Sequence, residues 1–184
     1  MKLSGNGKYT PFSILMAEDD PDDRLFIEQA FRELQIAGEL YFVENGEELM
    51  DFLGRRGVYS DPDRSPRPAL ILLDLNMPKK DGRQCLKEIK SDAGLQEIPV
   101  VVWTTSNLEE DISRCKEAGA DSYITKPASY PGLLDAVREI GRKWFPGSPR
   151  DISEGATCTL EMQDSPLQKC GGMRRAWDVS VRSK

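Results

Sequence analysis

Short runs of apolar residues alternate along this chain with segments in which apolar residues recur at helical spacing. The clearest run, residues 69–73, holds five consecutive apolar residues and ends at Asp74. Because polar and apolar positions do not alternate within it, we predict a strand buried on both faces, as in the centre of a parallel sheet. Four further strands are predicted at residues 13–17, 40–43, 99–103 and 122–125.

The segments that follow these runs are predicted as helices. Asp20 before Pro21 is typical of a helix N-terminus, and Gly119 indicates the end of the fourth helix. Strands that alternate with helices give an α/β fold, with a parallel sheet and right-handed crossovers. The predicted helices cover about residues 21–35, 47–53, 83–90, 109–118 and 132–145.

The alternation of strands and helices occupies only part of the chain. The 184 residues suit one domain with an appendage. We predict an N-terminal extension over residues 1–12, one domain over residues 13–145 and a C-terminal tail over residues 146–184. The tail is rich in proline, glycine and serine and poor in apolar residues, so we expect it to be largely disordered.

Composition narrows the classes of function. The net charge of −6 and the lack of a basic stripe with interleaved aromatics argue against nucleic-acid binding. No apolar run approaches membrane-spanning length, and residues 1–12 lack the apolar region of a signal peptide. The four cysteines form no CxxC pair, so we expect reduced thiols and a cytoplasmic location. The chain contains no histidine, which removes imidazole as a base, metal ligand or phosphate carrier.

Four of the predicted strands end in residues that can do chemistry. The carboxyl ends of parallel strands meet at one edge of a sheet, where a crevice opens at the point at which the strand order reverses. Taken singly, these residues have ordinary explanations: a capping acid, a strand-end threonine, a surface lysine. Those explanations do not account for all of them at successive strand ends. The residues are Glu18, Asp19, Asp74, Thr104 and Lys126.

Three carboxylates in one crevice make a hard oxygen site suited to Mg²⁺, whereas zinc prefers histidine and cysteine ligands. A magnesium ion held in this way can bridge to phosphoryl oxygens and neutralise their charge. Asp74 has no flanking acid and is the candidate nucleophile, because carboxylates accept phosphoryl groups as acyl phosphates. Lys126 can pair with one phosphoryl oxygen, and Thr104 can donate a hydrogen bond to another.

Four blocks of the sequence resemble the motifs of response-regulator receiver domains, the partners of histidine kinases in two-component signalling. The resemblance covers residues 13 to about 145 and implies a flavodoxin-like, doubly wound, five-stranded parallel sheet of order 2-1-3-4-5 with helices on both faces. The blocks are residues 14–21, residues 73–78 with Asp81-Gly82, residues 104–106 and residues 123–127.

The resemblance also implies a phosphoacceptor and a set of metal ligands. Asp74 would accept a phosphoryl group from a sensor histidine kinase. Glu18, Asp19 and Asp74 would bind Mg²⁺, with the main-chain carbonyl of Asn76 as a further ligand. Glu18 stands where many members of the family have aspartate, a change that keeps the charge.

A second set of roles concerns the response to phosphorylation. By resemblance, Thr104 is the switch hydroxyl, Lys126 pairs with the phosphate, and Tyr123 is the aromatic residue whose rotamer follows Thr104. Thr105 is bulkier than the residue often found beside the switch. We expect it to slow access to the phosphoryl group.

Taken together, the resemblance implies a stand-alone response regulator: a phosphoprotein of phosphorelay signal transduction that assists its own phosphorylation and dephosphorylation but is not otherwise an enzyme. Three segments resemble those of single-domain regulators paired with bacterial phytochromes. They are the long loop at residues 54–68, residues 78–82 and the Thr-Thr-Ser sequence at residues 104–106. That likeness implies a phytochrome kinase as partner and a homodimer through the fourth helix, fifth strand and fifth helix. Trp144 and Phe145 are candidate dimer contacts, with core packing as the alternative.

Two other functions remain open. A magnesium-dependent phosphatase of related fold would use an aspartyl nucleophile, usually with a second acid two residues later. Here that position is Asn76, which cannot donate a proton in that way. A transcription factor would need a DNA-binding domain, and residues 146–184 are too short for a typical helix-turn-helix domain and lack its pattern.

Overall fold

The computed structural model describes residues 12–36 and 38–145. Within these ranges the strands are β1 Phe12–Ala17, β2 Gly38–Val43, β3 Leu70–Leu73, β4 Val100–Thr104 and β5 Ser122–Thr125. The α-helices are α1 Pro21–Glu33, α2 Gly46–Leu53, α3 Gly82–Ser91, α4 Glu109–Glu117 and α5 Tyr130–Trp144, and a short 3-10 helix covers Gly57–Tyr59.

The predicted helix termini are close to the observed ones, and capping explains where they fall. Asp20 caps α1 by accepting a hydrogen bond from the main-chain N–H of Asp22, as its place before Pro21 predicted. Helix α5 begins two residues earlier than predicted, because Ser129 caps it and Pro131 occupies its first turn. Gly119, just past α4, has a φ of +93°, a conformation that favours glycine.

All neighbouring strands pair in parallel, in the order β2-β1-β3-β4-β5. This confirms the predicted flavodoxin-like order. Strand β1 pairs with β2 on one side and with β3 on the other, so the chain reverses its direction of travel across the sheet between β1 and β3. A crevice for a ligand is expected at the carboxyl ends of these two strands.

A separate hydrophobic core covers each face of the sheet. One contains residues of α2, α3 and α4, and the other contains residues of α1 and α5. Strand β3 contributes Ile71 and Leu73 to the first core and Leu70 and Leu72 to the second. All four side chains are fully buried, which confirms the prediction from the unbroken apolar run.

Phe145 is part of the core. It is 2% exposed, and its ring lies 4.9 Å, centre to centre, from that of Phe12. The prediction that Phe145 contacts a second copy in a dimer is therefore wrong, because burial against Phe12 leaves too little of the ring accessible. Trp144, its neighbour, is only partly buried.

Phe12 had been assigned to the N-terminal extension but is the first residue of β1, where it pairs with Gly38. The rest of the predicted extension and the tail at residues 146–184 lie outside the described residues. Among the helices of residues 12–36 and 38–145, none is long and apolar enough to cross a membrane.

Candidate metal-binding site at the carboxyl edge of the sheet

Main-chain hydrogen bonds continue past the strand ends and fix the positions of the site residues. The N–H of Asp74 donates to Ala17 O at 3.0 Å, and the N–H of Glu18 donates to Val43 O at 3.0 Å. At the other side of the crevice, the N–H of Lys126 donates to Thr104 O at 2.8 Å. The sheet itself therefore brings these side chains to one edge, as the strand-end pattern predicted.

Glu18, Asp19 and Asp74 form a cluster of carboxylates. One carboxylate oxygen from each lies within 4.8 Å of those of the other two. Glu18 and Asp74 are buried, at 1% and 5% exposure, whereas Asp19 is exposed. A site made of carboxylate oxygens and open to water on one side suits a hard divalent cation such as Mg²⁺.

The ammonium group of Lys126 contacts three carboxylates. Its Nζ donates to Asp23 Oδ2 and Asp74 Oδ2, both at 2.8 Å, and lies 2.6 Å from Glu18 Oε2. Burial by itself lowers the pKa of this lysine, but its contacts with Asp23, Asp74 and Glu18 raise it above its usual range. Lys126 is therefore charged, and its single charge is shared by more than one acid.

Glu18 is the least satisfied member of the cluster. Burial raises the pKa of Glu18 to about 7, although Lys126 acts in the opposite direction. Its Oε1 accepts a hydrogen bond from the N–H of Asp20 at 3.3 Å. Its Oε2 touches Lys126 Nζ without hydrogen-bond geometry and has no hydrogen-bond partner among the described residues. A buried carboxylate oxygen that shares one ammonium group with two other acids, beside two further carboxylates, is an environment that a bound cation completes, so these residues fit Mg²⁺.

Asp74 is held from two sides. Its Oδ1 accepts a hydrogen bond from the N–H of Asn76 at 3.1 Å, and its Oδ2 accepts from Lys126. The N–H of Gly82, at the start of α3, donates to Leu75 O at 2.9 Å. A Cβ at Gly82 would lie 2.0 Å from Asp74 O, so only glycine allows this helix to begin so close to the strand end.

Thr104 and Tyr123 meet at the loop after β4. Thr104 is fully buried, and its Oγ1 accepts a long hydrogen bond of 3.5 Å from the N–H of Ser106. The hydroxyl of Tyr123 donates to Ser106 O at 3.0 Å. Both side chains assigned to the switch are thus connected to one residue of the same loop.

The family model described as response regulator receiver domain matches residues 14–138. This chain belongs to the response-regulator receiver family. The family and the two-component class predicted from the sequence motifs are therefore confirmed.

Individual relatives also support the predicted likeness to phytochrome regulators. Response regulator Rcp1 of Synechocystis sp. is 41% identical over 135 residues, which are 73% of this chain and 90% of the relative. The structure of the Mn²⁺-bound form of Rcp1 superposes with a TM-score of 0.68 at 40% identity, over 74% of this chain and 96% of that one. The phosphorylated cyanobacterial phytochrome response regulator RcpA gives a TM-score of 0.69 with the same identity and coverage.

Sequence reasoning did not place Asp23 in this receiver's site. Asp23 lies in the first turn of α1, where an acid is favoured by the helix dipole without any further role. Its contact with Lys126 joins residues 103 positions apart. The sequence separation of Asp23 from Asp19 could have predicted this position. The first turn of a helix that starts at the edge of the sheet brings its third residue back toward that edge.

A second charged cluster, which the sequence did not predict, lies next to the loop after β4. Arg83 binds Asp111 with two hydrogen bonds, of 2.9 and 2.8 Å, and the hydroxyl of Ser106 donates to Asp111 Oδ2 at 2.6 Å. The hydrogen bonds from Arg83 and Ser106 lower the pKa of Asp111 to about 2. Arg83 also contacts Asp81 at 3.0 Å. We call these residues, with Ser106, the Arg83 cluster.

Proposed function

We propose that this chain is a stand-alone response regulator in which Asp74 accepts a phosphoryl group from a sensor histidine kinase. Glu18, Asp19 and Asp74 would hold Mg²⁺, with the Asn76 main-chain carbonyl as a further ligand. The observation that carries this proposal is the meeting of the carboxylate cluster and the Lys126 ammonium group around Asp74. Membership of the receiver family supports it.

The arrangement of Asp74 suits phosphoryl transfer. A carboxylate oxygen of Asp74 forms the new bond to phosphorus while the bond from phosphorus to the donor breaks, and the product is an acyl phosphate. The donor atom is a histidine nitrogen of the kinase, or the acyl oxygen of acetyl phosphate. Lys126 Nζ, one hydrogen bond away from Asp74 Oδ2, is positioned to pair with a phosphoryl oxygen. Bound Mg²⁺ would supply charge neutralisation for the phosphoryl oxygens.

The switch follows from the contacts of the loop after β4. A phosphoryl group adds negative charge and three strong acceptor oxygens beside Thr104. We expect the Thr104 hydroxyl to turn toward one of these oxygens. That rotation breaks its long hydrogen bond with the N–H of Ser106. Tyr123, bonded to the carbonyl of the same residue, then rearranges and alters the face formed by α4, β5 and α5. Two arrangements that differ by a few kcal/mol are sufficient for this shift in population.

A phytochrome kinase is the partner that the relatives favour, since RcpA is described as a phytochrome response regulator. We propose a homodimer through the α4-β5-α5 face as the output. Because Phe145 is buried, the contact would use other residues of that face.

Labelling with acetyl phosphate tests the chemistry. The parent protein should incorporate phosphate when Mg²⁺ is present and lose labelling on chelation, because the carboxylate cluster supplies the metal site. Asp74→Asn keeps the shape of the side chain but removes the nucleophile, so labelling should disappear. Asp92→Asn, at the opposite edge of the sheet, is the matched control and should label as the parent does. Equal labelling of Asp74→Asn would show that another residue is the acceptor.

Sedimentation with beryllofluoride, a mimic of the phosphoryl group, tests the switch. The parent should increase in mass when the mimic is added. Thr104→Ala should bind the mimic and respond weakly, whereas Thr104→Ser, which keeps the hydroxyl, should respond nearly as the parent does. An unchanged mass in the parent would rule out dimerisation as the output. A full response in Thr104→Ala would remove that hydroxyl as the coupling group.

A further inference from the structure

The three carboxylates around Lys126 fall into two classes. Glu18 and Asp74 belong to the carboxylate cluster that fits a divalent cation. Asp23 does not belong to that cluster, yet its Oδ2 accepts a hydrogen bond of 2.8 Å from Lys126 Nζ. A cation and the ammonium group of Lys126 therefore compete for two acids, while the third acid is available to the lysine alone.

Metal binding and phosphorylation both weaken the lysine's shared contacts. A bound dication draws the negative charge of Glu18 and Asp74 toward itself and repels the nearby ammonium group. Phosphorylation then turns the Asp74 carboxylate into an acyl phosphate, whose remaining carboxyl oxygen carries no full charge. Of the three carboxylates in contact with Lys126, only Asp23 is neither engaged by the cation nor converted to an acyl phosphate.

The position of Asp23 is fixed by regular structure. It occupies the third position of α1, whose start is capped by Asp20. Arg24, the next residue, donates from its guanidinium to Glu18 O at 2.9 Å and so attaches this turn of the helix to the end of β1. The Asp23 side chain is 37% exposed, whereas that of Lys126 is only 10% exposed. A carboxylate on a helix end is thus held against a buried lysine from the β5–α5 connection.

We propose that Asp23 is a positioning residue of the receiver site. It takes a share of the Lys126 ammonium group that would otherwise fall on the metal ligands, and it keeps that group in line for the phosphoryl oxygens. The inference rests on the proposed function for its purpose, but its first consequence is on metal affinity in the unphosphorylated protein. Without Asp23, the ammonium group of Lys126 interacts more strongly with Glu18 and Asp74 and competes more strongly with the cation for these two carboxylates.

The test compares Asp23→Asn with Asp22→Asn. Both variants remove one negative charge from the same turn of α1, but only Asp23 contacts Lys126. Mg²⁺ titrations followed by NMR shifts of Glu18 and Asp74 measure the dissociation constant. We expect about tenfold weaker binding in Asp23→Asn, the range found for residues that support metal ligands. Asp22→Asn should weaken it by less than about twofold, because an exposed charge is screened.

A double-mutant cycle separates positioning from simple charge. In a Lys126→Gln background, Asp23→Asn should have no more effect than Asp22→Asn, because the lysine through which it acts is absent. An effect of full size in that background, or equal effects of Asp23→Asn and Asp22→Asn on the parent, would overturn the proposal. If Lys126→Gln does not fold, the ¹⁵N resonance of the Lys126 ammonium group in Mg²⁺-saturated protein gives the second readout. It should lose protection from exchange in Asp23→Asn and keep it in Asp22→Asn; retained protection in Asp23→Asn would overturn the proposal.

Failure of the positioning role of Asp23 can be distinguished from failure of the proposed function. Metal affinity is measured without phosphorylation, so a parent that binds Mg²⁺ but does not label on Asp74 contradicts the function and leaves the role of Asp23 testable. A parent that labels on Asp74 while Asp23→Asn behaves like Asp22→Asn contradicts only the positioning role.

Discussion

Two clusters of charged residues lie at the same edge of the sheet and differ in how completely their charges are matched. Around Lys126, one ammonium group serves Glu18, Asp23 and Asp74, and one buried oxygen of Glu18 has no hydrogen-bond partner among the described residues. In the Arg83 cluster, both oxygens of Asp111 accept hydrogen bonds from Arg83 or Ser106. Burial raises the pKa of Glu18 to about 7, whereas the hydrogen bonds from Arg83 and Ser106 lower the pKa of Asp111 to about 2.

The contrast separates a structural role from a functional one. Where the partners of a buried charge are complete within the chain, removing one of them leaves the other unpaired and destabilises the fold. A buried charge without a complete set of partners costs stability and is retained where a ligand supplies the rest. The two clusters contain the same kinds of side chain, so residue type alone does not distinguish them.

The two clusters also meet through the loop after β4. Ser106 donates to Asp111, accepts from Tyr123 through its carbonyl, and approaches Thr104 through its N–H. The Arg83 cluster therefore holds the loop through which the carboxylates around Lys126 would signal.

The largest effect is expected from Asp111→Asn. It leaves the half-buried Arg83 without a charged partner on α4, so the free energy of unfolding should fall by about 2 to 4 kcal/mol. Asp81→Asn, which also faces Arg83 but from an exposed position, should cost less than about 1 kcal/mol. Urea unfolding of both variants measures the difference. Equal losses would contradict the view that burial makes the Arg83–Asp111 pair the stronger one.

The same pair predicts a pH dependence. Because folding lowers the pKa of Asp111 from 3.8 to about 2, its contribution to stability is complete above about pH 4 and is lost as the pH falls toward 2. The stability gap between the parent and Asp111→Asn should therefore be constant from pH 5 to 7 and narrow between pH 4 and 3. Urea unfolding at each pH provides the measurement, and a gap that stays constant down to pH 3 would exclude the assigned shift.

Magnesium should have a smaller effect on stability, and that effect should depend on the carboxylate cluster of Glu18, Asp19 and Asp74. With a dissociation constant of about 1 mM, about 10 mM Mg²⁺ raises the free energy of unfolding by about 1.4 kcal/mol. Asp111→Asn should gain the same amount, because its cluster does not hold the metal, and Asp74→Asn should gain little. Thermal unfolding with and without Mg²⁺ compares the three proteins. A full gain in Asp74→Asn would place the ion elsewhere.

The sequence by itself determined the strands, the burial of the strand before Asp74 and the edge at which the reactive residues meet. The unbroken apolar run before Asp74 predicted a strand buried on both faces, and Leu70–Leu73 divide between the two cores. Glu18, Asp19, Asp74, Thr104 and Lys126 come together because parallel strands place their carboxyl ends at one edge. These features depend on the local apolar pattern and on the alternation of strands with helices, which the sequence shows directly. The order of the strands in the sheet was predicted from the resemblance to receiver domains.

Only the tertiary structure decided which charges are paired and which are not. Asp23 reaches Lys126 across 103 positions, Arg83 reaches Asp111 across 28, and Phe145 lies against Phe12 inside the core. Each of these contacts depends on how a helix is rotated and packed on the sheet, which no spacing within one segment specifies. The contact of the buried Glu18 Oε2 with Lys126, which lacks hydrogen-bond geometry, has the same origin, because burial and the angle of approach of Lys126 are set by packing from several elements at once.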